Sequence, residues 1–233
     1  GLKYFAGAPE DHVGAPFYGI EDRYTEESAK TFGAKELRGL LNQSGFECSQ
    51  FLGAFPDYKF PKAIITEAGA RHSVFDPYPL IRDTVGGDLQ MPEKPAFIQE
   101  QAWRSVCRNG LTIDLANSFI VCATINESRR LPDLAYYFNS QRRPSFCKES
   151  RFTADSDDKV QVLTRSLIEE EQFQVGNFRH KPMLVQDYIS GRQLSDDFVS
   201  IVSKPGWDTK ALKRFFVNYQ KRIEEITQIE LSA

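Results

Sequence analysis

Residues Ser118–Ile125 read SFIVCATI, an almost unbroken apolar run of strand length. It is far too short to cross a bilayer, which takes roughly 18–20 apolar residues. Its β-branched and aromatic side chains suit a pleated strand. Apolar residues without polar alternation predict a strand buried on both faces. That requirement favours a sheet covered by helices, so the chain reads as mixed α/β.

The flanking pattern supplies both kinds of element. Residues 1–30 are rich in Gly, Pro and aromatics and read as loop. Thr31–Ser44 reads as a helix, with Leu37, Leu40 and Leu41 on one face, Gly33 or Thr31 at its start and Gly45 as a left-handed stop. Strands are expected over 46–55 and 59–66, separated by the turn signal Pro56-Asp57. Residues 67–95, broken by Pro77, Pro79, Gly86-Gly87, Pro92 and Pro95, read as irregular. Residues 97–108 read as a helix ended by Asn109-Gly110.

The texture changes near Asn126. Beyond it come strand-like segments at 134–141, 145–153, 159–167 and 182–189, with Asp155–Asp158 as a hairpin tip. Two helices are expected at 193–203 and 208–229. We therefore expect one domain over 1–126 and a β-hairpin-rich, then helical, module over 127–233. On the last helix Leu212, Phe215, Phe216, Tyr219, Ile223 and Ile226 form an apolar stripe, most simply used for packing within the chain.

Charge and cysteine content narrow the function. The net charge of −3 provides no basic field for nucleic acid, and no run is long enough for a membrane span. The four cysteines form no C-x-x-C pair, which fits free thiols in a reducing, cytoplasmic setting. Cys48 and Cys122 sit in strand-like runs and read as core residues. Trp103 and Trp207 also read as core. His72 and His180 have no companions at metal-ligand spacing, so no metal site is expected. The 12% aromatic content suggests large flat contacts, in the core or around a ring-shaped ligand.

Two segments carry the chemistry. Glu10, Asp11 and His12 lie between a Gly-Pro bend and Gly14. A carboxylate beside an imidazole can orient it as a general base for a hydroxyl group; a polar loop is the plainer use. Asp57, Tyr58 and Lys59 follow a strand, where α/β sheets carry ligand-facing loops. Tyr58 and Phe60 suit stacking on a sugar face and Asp57 suits accepting hydroxyl hydrogen bonds; a tight turn with aromatic packing explains them equally. Neither G-x-G-x-x-G, G-x-x-x-x-G-K-[ST] nor G-x-S-x-G occurs, so no dinucleotide, methyl-donor or nucleotide cradle and no hydrolase elbow is legible.

Several tokens in order resemble a family of class I S-adenosylmethionine-dependent methyltransferases that serve capsule, O-antigen or similar surface-polysaccharide synthesis. These are Gly1-Leu2-Lys3-Tyr4, Glu10-Asp11-His12, Gly19-Ile20, Thr31-Phe32, Gly45-Phe46 and Pro56-Asp57-Tyr58-Lys59 with Pro61, followed by Val74-Phe75-Asp76, Asn109-Gly110-Leu111 and Ala116-Asn117-Ser118-Phe119. The resemblance covers residues 1 to about 125. It implies the later part of a Rossmann-like sheet, with the strands at 46–55 and 118–125 its last two and residues 67–110 a substrate-side insertion. It also implies that the S-adenosylmethionine site lies upstream, so that this chain alone holds no cofactor and is inactive. The acceptor is then a saccharide hydroxyl, with His12, Glu10 and Asp11 as catalytic candidates and Tyr18, Asp57, Tyr58 and Lys59 as substrate contacts. Residues 134–200 resemble, more faintly, the small lobe of a kinase-like fold. The contrasting expectation is a non-catalytic module that docks onto glycosyltransferase partners.

Overall fold

The computed structural model describes residues 1–6, 32–87, 93–125, 131–168, 172–176, 178–191, 193–204, 206 and 208–232. They form two compact units, Gly1–Tyr188 and Ile189–Ala233.

The first unit is built on one seven-stranded sheet in which every described pairing is antiparallel. Its strands in chain order are β1 (Cys48–Phe55), β2 (Ala63–Thr66), β3 (Ser118–Thr124), β4 (Asp133–Asn139), β5 (Lys148–Ala154), β6 (Val160–Ser166) and, after a separate small hairpin β7–β8 (Phe173–Val175, Phe178–His180), β9 (Met183–Asp187). The spatial order is β3-β1-β2-β4-β5-β6-β9. The sheet therefore runs without a break from β2 into β4, across the point where the sequence texture changes.

The pairing register sorts the side chains by face. Phe55, Ala63 and Tyr137 stand in line, as do Gly53 and Ile65 two residues away. This face carries the core: Phe51, Phe55, Ala63, Ile65, Ala135 and Phe152 are all buried. Helices α3 (Glu67–Arg71) and α4 (Tyr78–Val85) pack on its central strands, and α5 (Gln99–Arg108) packs on α4. Trp103 of α5 meets Phe55 edge-on with ring centroids 5.2 Å apart, and Phe75 meets Phe152 at 5.2 Å. Aromatic pairs in these geometries add about 1 kcal/mol each beyond the area they bury.

Several expectations change. Residues 67–95 are irregular only in part, because α3 and α4 lie within them. Pro79 occupies the second helical position, where a missing N–H costs nothing, and the Tyr78 N–H is taken by Asp76 Oδ1 at 3.0 Å. Pro77 and Pro79, read as breakers, instead start a helix. β3 is not buried on both faces: among the described strands it pairs only with β1, and alternate residues, Ile120 and Cys122 included, face outward. A short apolar run has no feature that separates a central strand from an edge strand. Cys122 is accordingly an exposed thiol and not a core residue. Residues 2–5 form a short helical turn, α1 (Leu2–Phe5), within the segment read as loop.

Other elements agree closely with the sequence. α2 (Ala34–Gln43) starts after Gly33, and Gly45 adopts φ +86° as the left-handed stop. Arg38 of α2 bonds Ser49 O at 2.8 Å and Glu67 Oε1 at 2.6 Å, tying this helix to β1 and α3. In the second unit, α6 (Leu194–Val202) and α7 (Thr209–Ser232) pack through Phe198 against Phe215 and Phe216.

Candidate functional site

The site begins where β1 ends. Phe55 is buried in the core, so the chain must leave the sheet at Pro56 with its next residues turned outward. Lys62 N–H closes the turn onto Phe55 O at 2.8 Å. Asp57 organises what lies between. Its Oδ1 accepts the Lys59 N–H at 3.0 Å, a local turn of the kind aspartate favours. Its Oδ2 accepts Lys3 Nζ at 3.4 Å and the Ser118 hydroxyl at 3.3 Å. Asn117 adds a bond from Nδ2 to Pro56 O at 3.1 Å. The turn is thus moored to α1 and to the start of β3.

With Asp57 directed inward, the residues that follow it are exposed. Tyr58 is 59% exposed and Phe60 78% exposed, and Lys59 Nζ lies 5.9 Å from the Tyr58 ring centroid. Exposed rings held on a braced turn present flat apolar faces with a cation beside them.

Behind Phe60 lies a cleft of about 810 Å³. Lys59, Phe60 and Lys62 form one wall, Asp83, Gly86 and Gly87 at the end of α4 a second, and Phe138, Ser140 and Gln141 at the end of β4 a third. A polar cluster fixes this junction. Lys62 Nζ bonds Asp83 Oδ2 at 2.6 Å, and the Tyr137 hydroxyl donates to the same oxygen. Lys62 Nζ also lies 5.5 Å from the Tyr137 ring centroid. Burial works against both charges. The hydrogen bonds and the opposite charge outweigh it, lowering the Asp83 pKa and raising that of Lys62. Burial, reinforced by the neighbouring carboxylate, raises Tyr137. Near neutral pH the cluster is therefore a settled anion, cation and neutral phenol, and Asp83 is a poor general base.

A second polar cluster lies on the other face of the sheet. Glu149 is buried and receives Arg151 Nε at 2.8 Å and Arg165 Nε at 2.5 Å. Tyr136, beside Arg151, donates its hydroxyl to Asp133.

Of the residues singled out from sequence, Asp57, Tyr58 and Lys59 share the β1–β2 turn. Asp57 spends its carboxylate on the protein's own donors, while Tyr58 and Lys59 face solvent. His12, Glu10, Asp11 and Tyr18 lie outside the described residues, as does Trp207. Sequence reasoning did not find Lys62, Asp83 or Tyr137. They come from three elements far apart in the chain, and no local motif joins them. Gln141, by contrast, belongs to the short group Gln141-Arg142-Arg143, which reads from sequence as a solvated strand end or a phosphate site. His72 is turned inward, its Nδ1 accepting the N–H groups of Val74 and Phe75, both at 3.2 Å.

Among the described residues, no group of three or more His, Cys, Asp or Glu side chains is placed to hold a metal ion. No described helix is long and apolar enough to cross a membrane. No family model, curated protein or solved structure matches the chain.

Proposed function

We propose that this chain carries the acceptor side of an S-adenosylmethionine-dependent methyltransferase that modifies a saccharide hydroxyl. The observation that carries the reading is the braced β1–β2 turn, which holds Tyr58 and Phe60 outward, with Phe60 on the wall of a cleft lined with polar groups. Saccharides are bound by this combination: an aromatic face for the ring's C–H surface, with amide, hydroxyl and charged groups for its hydroxyls. The ordered tokens that resemble surface-polysaccharide methyltransferases support the reaction class. On this reading β1 and β3 are the closing strands of a Rossmann-like sheet, and the methyl donor is bound by residues outside this chain. Transfer to an oxygen then needs positioning and a base, with His12 and its neighbours Glu10 and Asp11 as the candidates.

Ligand-observed NMR on the 233-residue chain tests both halves of this proposal. Methyl hexosides are expected to receive saturation from the protein, and Tyr58→Ala combined with Phe60→Ala should weaken it. Absence of saturation from every hexoside tried would overturn the acceptor reading. Micromolar binding of S-adenosylmethionine by this chain would overturn the assignment of the donor site to other residues.

A further inference from the structure

The charge in the cleft is unevenly balanced. Among its described lining residues the acidic side chain is Asp83 and the basic ones are Lys59 and Lys62. Asp83 is already engaged by Lys62 and by the Tyr137 hydroxyl. Lys59 has no carboxylate partner among the described residues; its ammonium meets the face of Tyr58. Among the described lining residues one positive charge is therefore left over, in a chain whose net charge is −3. Lys62 cannot swing away freely, since Asp83 pins it, so a ligand meets one fixed and one adaptable ammonium on the same turn. Charges gathered at a concave surface attract counter-charge more strongly than the same charges spread over an open one.

We propose that the saccharide accepted by this cleft is anionic, bearing a phosphate or carboxylate that seats at Lys59 and Lys62 while its ring lies against Phe60. Gln141 and Ser140, on the opposite wall, supply an amide and a hydroxyl for the ring hydroxyls. This rests on the acceptor reading above and narrows it to a substrate class.

Calorimetry on the full chain with glucose 1-phosphate, glucuronate, methyl glucoside and inorganic phosphate is the test. At least one anionic sugar is expected to bind about tenfold more tightly than methyl glucoside, the scale of one charge-assisted hydrogen bond. The preferred anion identifies the source of the charge. The preference should shrink as salt rises from about 0.05 to about 0.5 M. Lys59→Gln should abolish it without lowering the melting temperature, and Lys59→Arg should restore it. If methyl glucoside binds as well as both anionic sugars, the acceptor reading stands and this proposal falls. If inorganic phosphate binds as tightly as glucose 1-phosphate and glucuronate shows no preference, the site takes an adventitious ion only, and the proposal also falls. Binding of no sugar at all would bring down both readings. A preference retained in Lys59→Gln would overturn the role given to Lys59.

Discussion

Lys3 Nζ lies 3.4 Å from Asp57 Oδ2, joining the first helical turn of the chain to the turn that ends β1. Lys3 is only 1% exposed, an unusual place for an ammonium. The same carboxylate also holds the Lys59 N–H and the Ser118 hydroxyl, so one side chain anchors three segments. Two substitutions should therefore differ in cost. Asp57→Ala removes the shared acceptor and is expected to destabilise by about 2–4 kcal/mol. Lys3→Met removes one donor of three and leaves an apolar stem of similar shape, for about 1–2 kcal/mol. Urea denaturation of both variants would show the order, and equal costs would argue against Asp57 as the common anchor.

Gly69 gives the second prediction. It lies in α3, where a Cβ built on its backbone would stand 2.0 Å from Leu134 O in β4. No rotamer relieves that contact, because both partners are backbone. Thr66 holds the same junction: its hydroxyl oxygen accepts the Gly69 N–H at 3.0 Å and lies 2.9 Å from Asp133 O and 3.0 Å from Leu134 O, which share its proton. Gly69→Ala is expected to cost about 3 kcal/mol or more, at the upper end of overpacking effects, although alanine normally favours a helix. A thermal melt that is unchanged or raised would contradict the close approach.

These two junctions show what could be read from sequence. Elements whose periodicity and punctuation agree were legible: α2 with its leucine face and Gly45, and the β5–β6 hairpin around Asp155 and Asp158. α3 was not, since five residues carry no period and their support comes from β4. α4 was obscured by prolines that favour its start. The place of β3 at the end of the described strand order depends on which strands pair, and composition does not encode pairing order. At the site, Asp57, Tyr58 and Lys59 were found because they are contiguous. The Lys62–Asp83–Tyr137 cluster exists only after β2, α4 and β4 have been brought together.

Glu149 makes acid stability testable. Burial alone would raise its pKa, but the hydrogen bonds and charges of Arg151 and Arg165 outweigh this and lower it. A carboxyl whose pKa is lowered on folding stabilises fully above its unfolded value, about 4.3 for glutamate, and loses that contribution as pH falls through the folded value. Both arginines are partly exposed, so the effect is discounted for solvent. Glu149→Gln is expected to cost about 2 kcal/mol at pH 7, a gap that narrows below about pH 4. A gap constant from pH 7 to pH 3 would show that the charge itself contributes nothing.

The thiols report on the edge of the sheet. Cys122 points outward from β3, whereas Cys107 is buried in α5. Burial pushes the Cys107 thiol up to about 12, against a weaker opposing hydrogen bond with Thr112. At pH 8 roughly one Cys107 in ten thousand is then the reactive thiolate, whereas an ordinary exposed cysteine is substantially ionised. Cys147 is also buried, its Sγ facing the Arg142 carbonyl at 3.5 Å. Iodoacetamide on the native protein, read by peptide mass spectrometry, should label Cys122 while sparing Cys107 and Cys147 until denaturant is added. Equal labelling of Cys107 would mean that α5 opens readily. Protection of Cys122 would mean that β3 is covered, restoring the two-sided burial that its apolar run suggests.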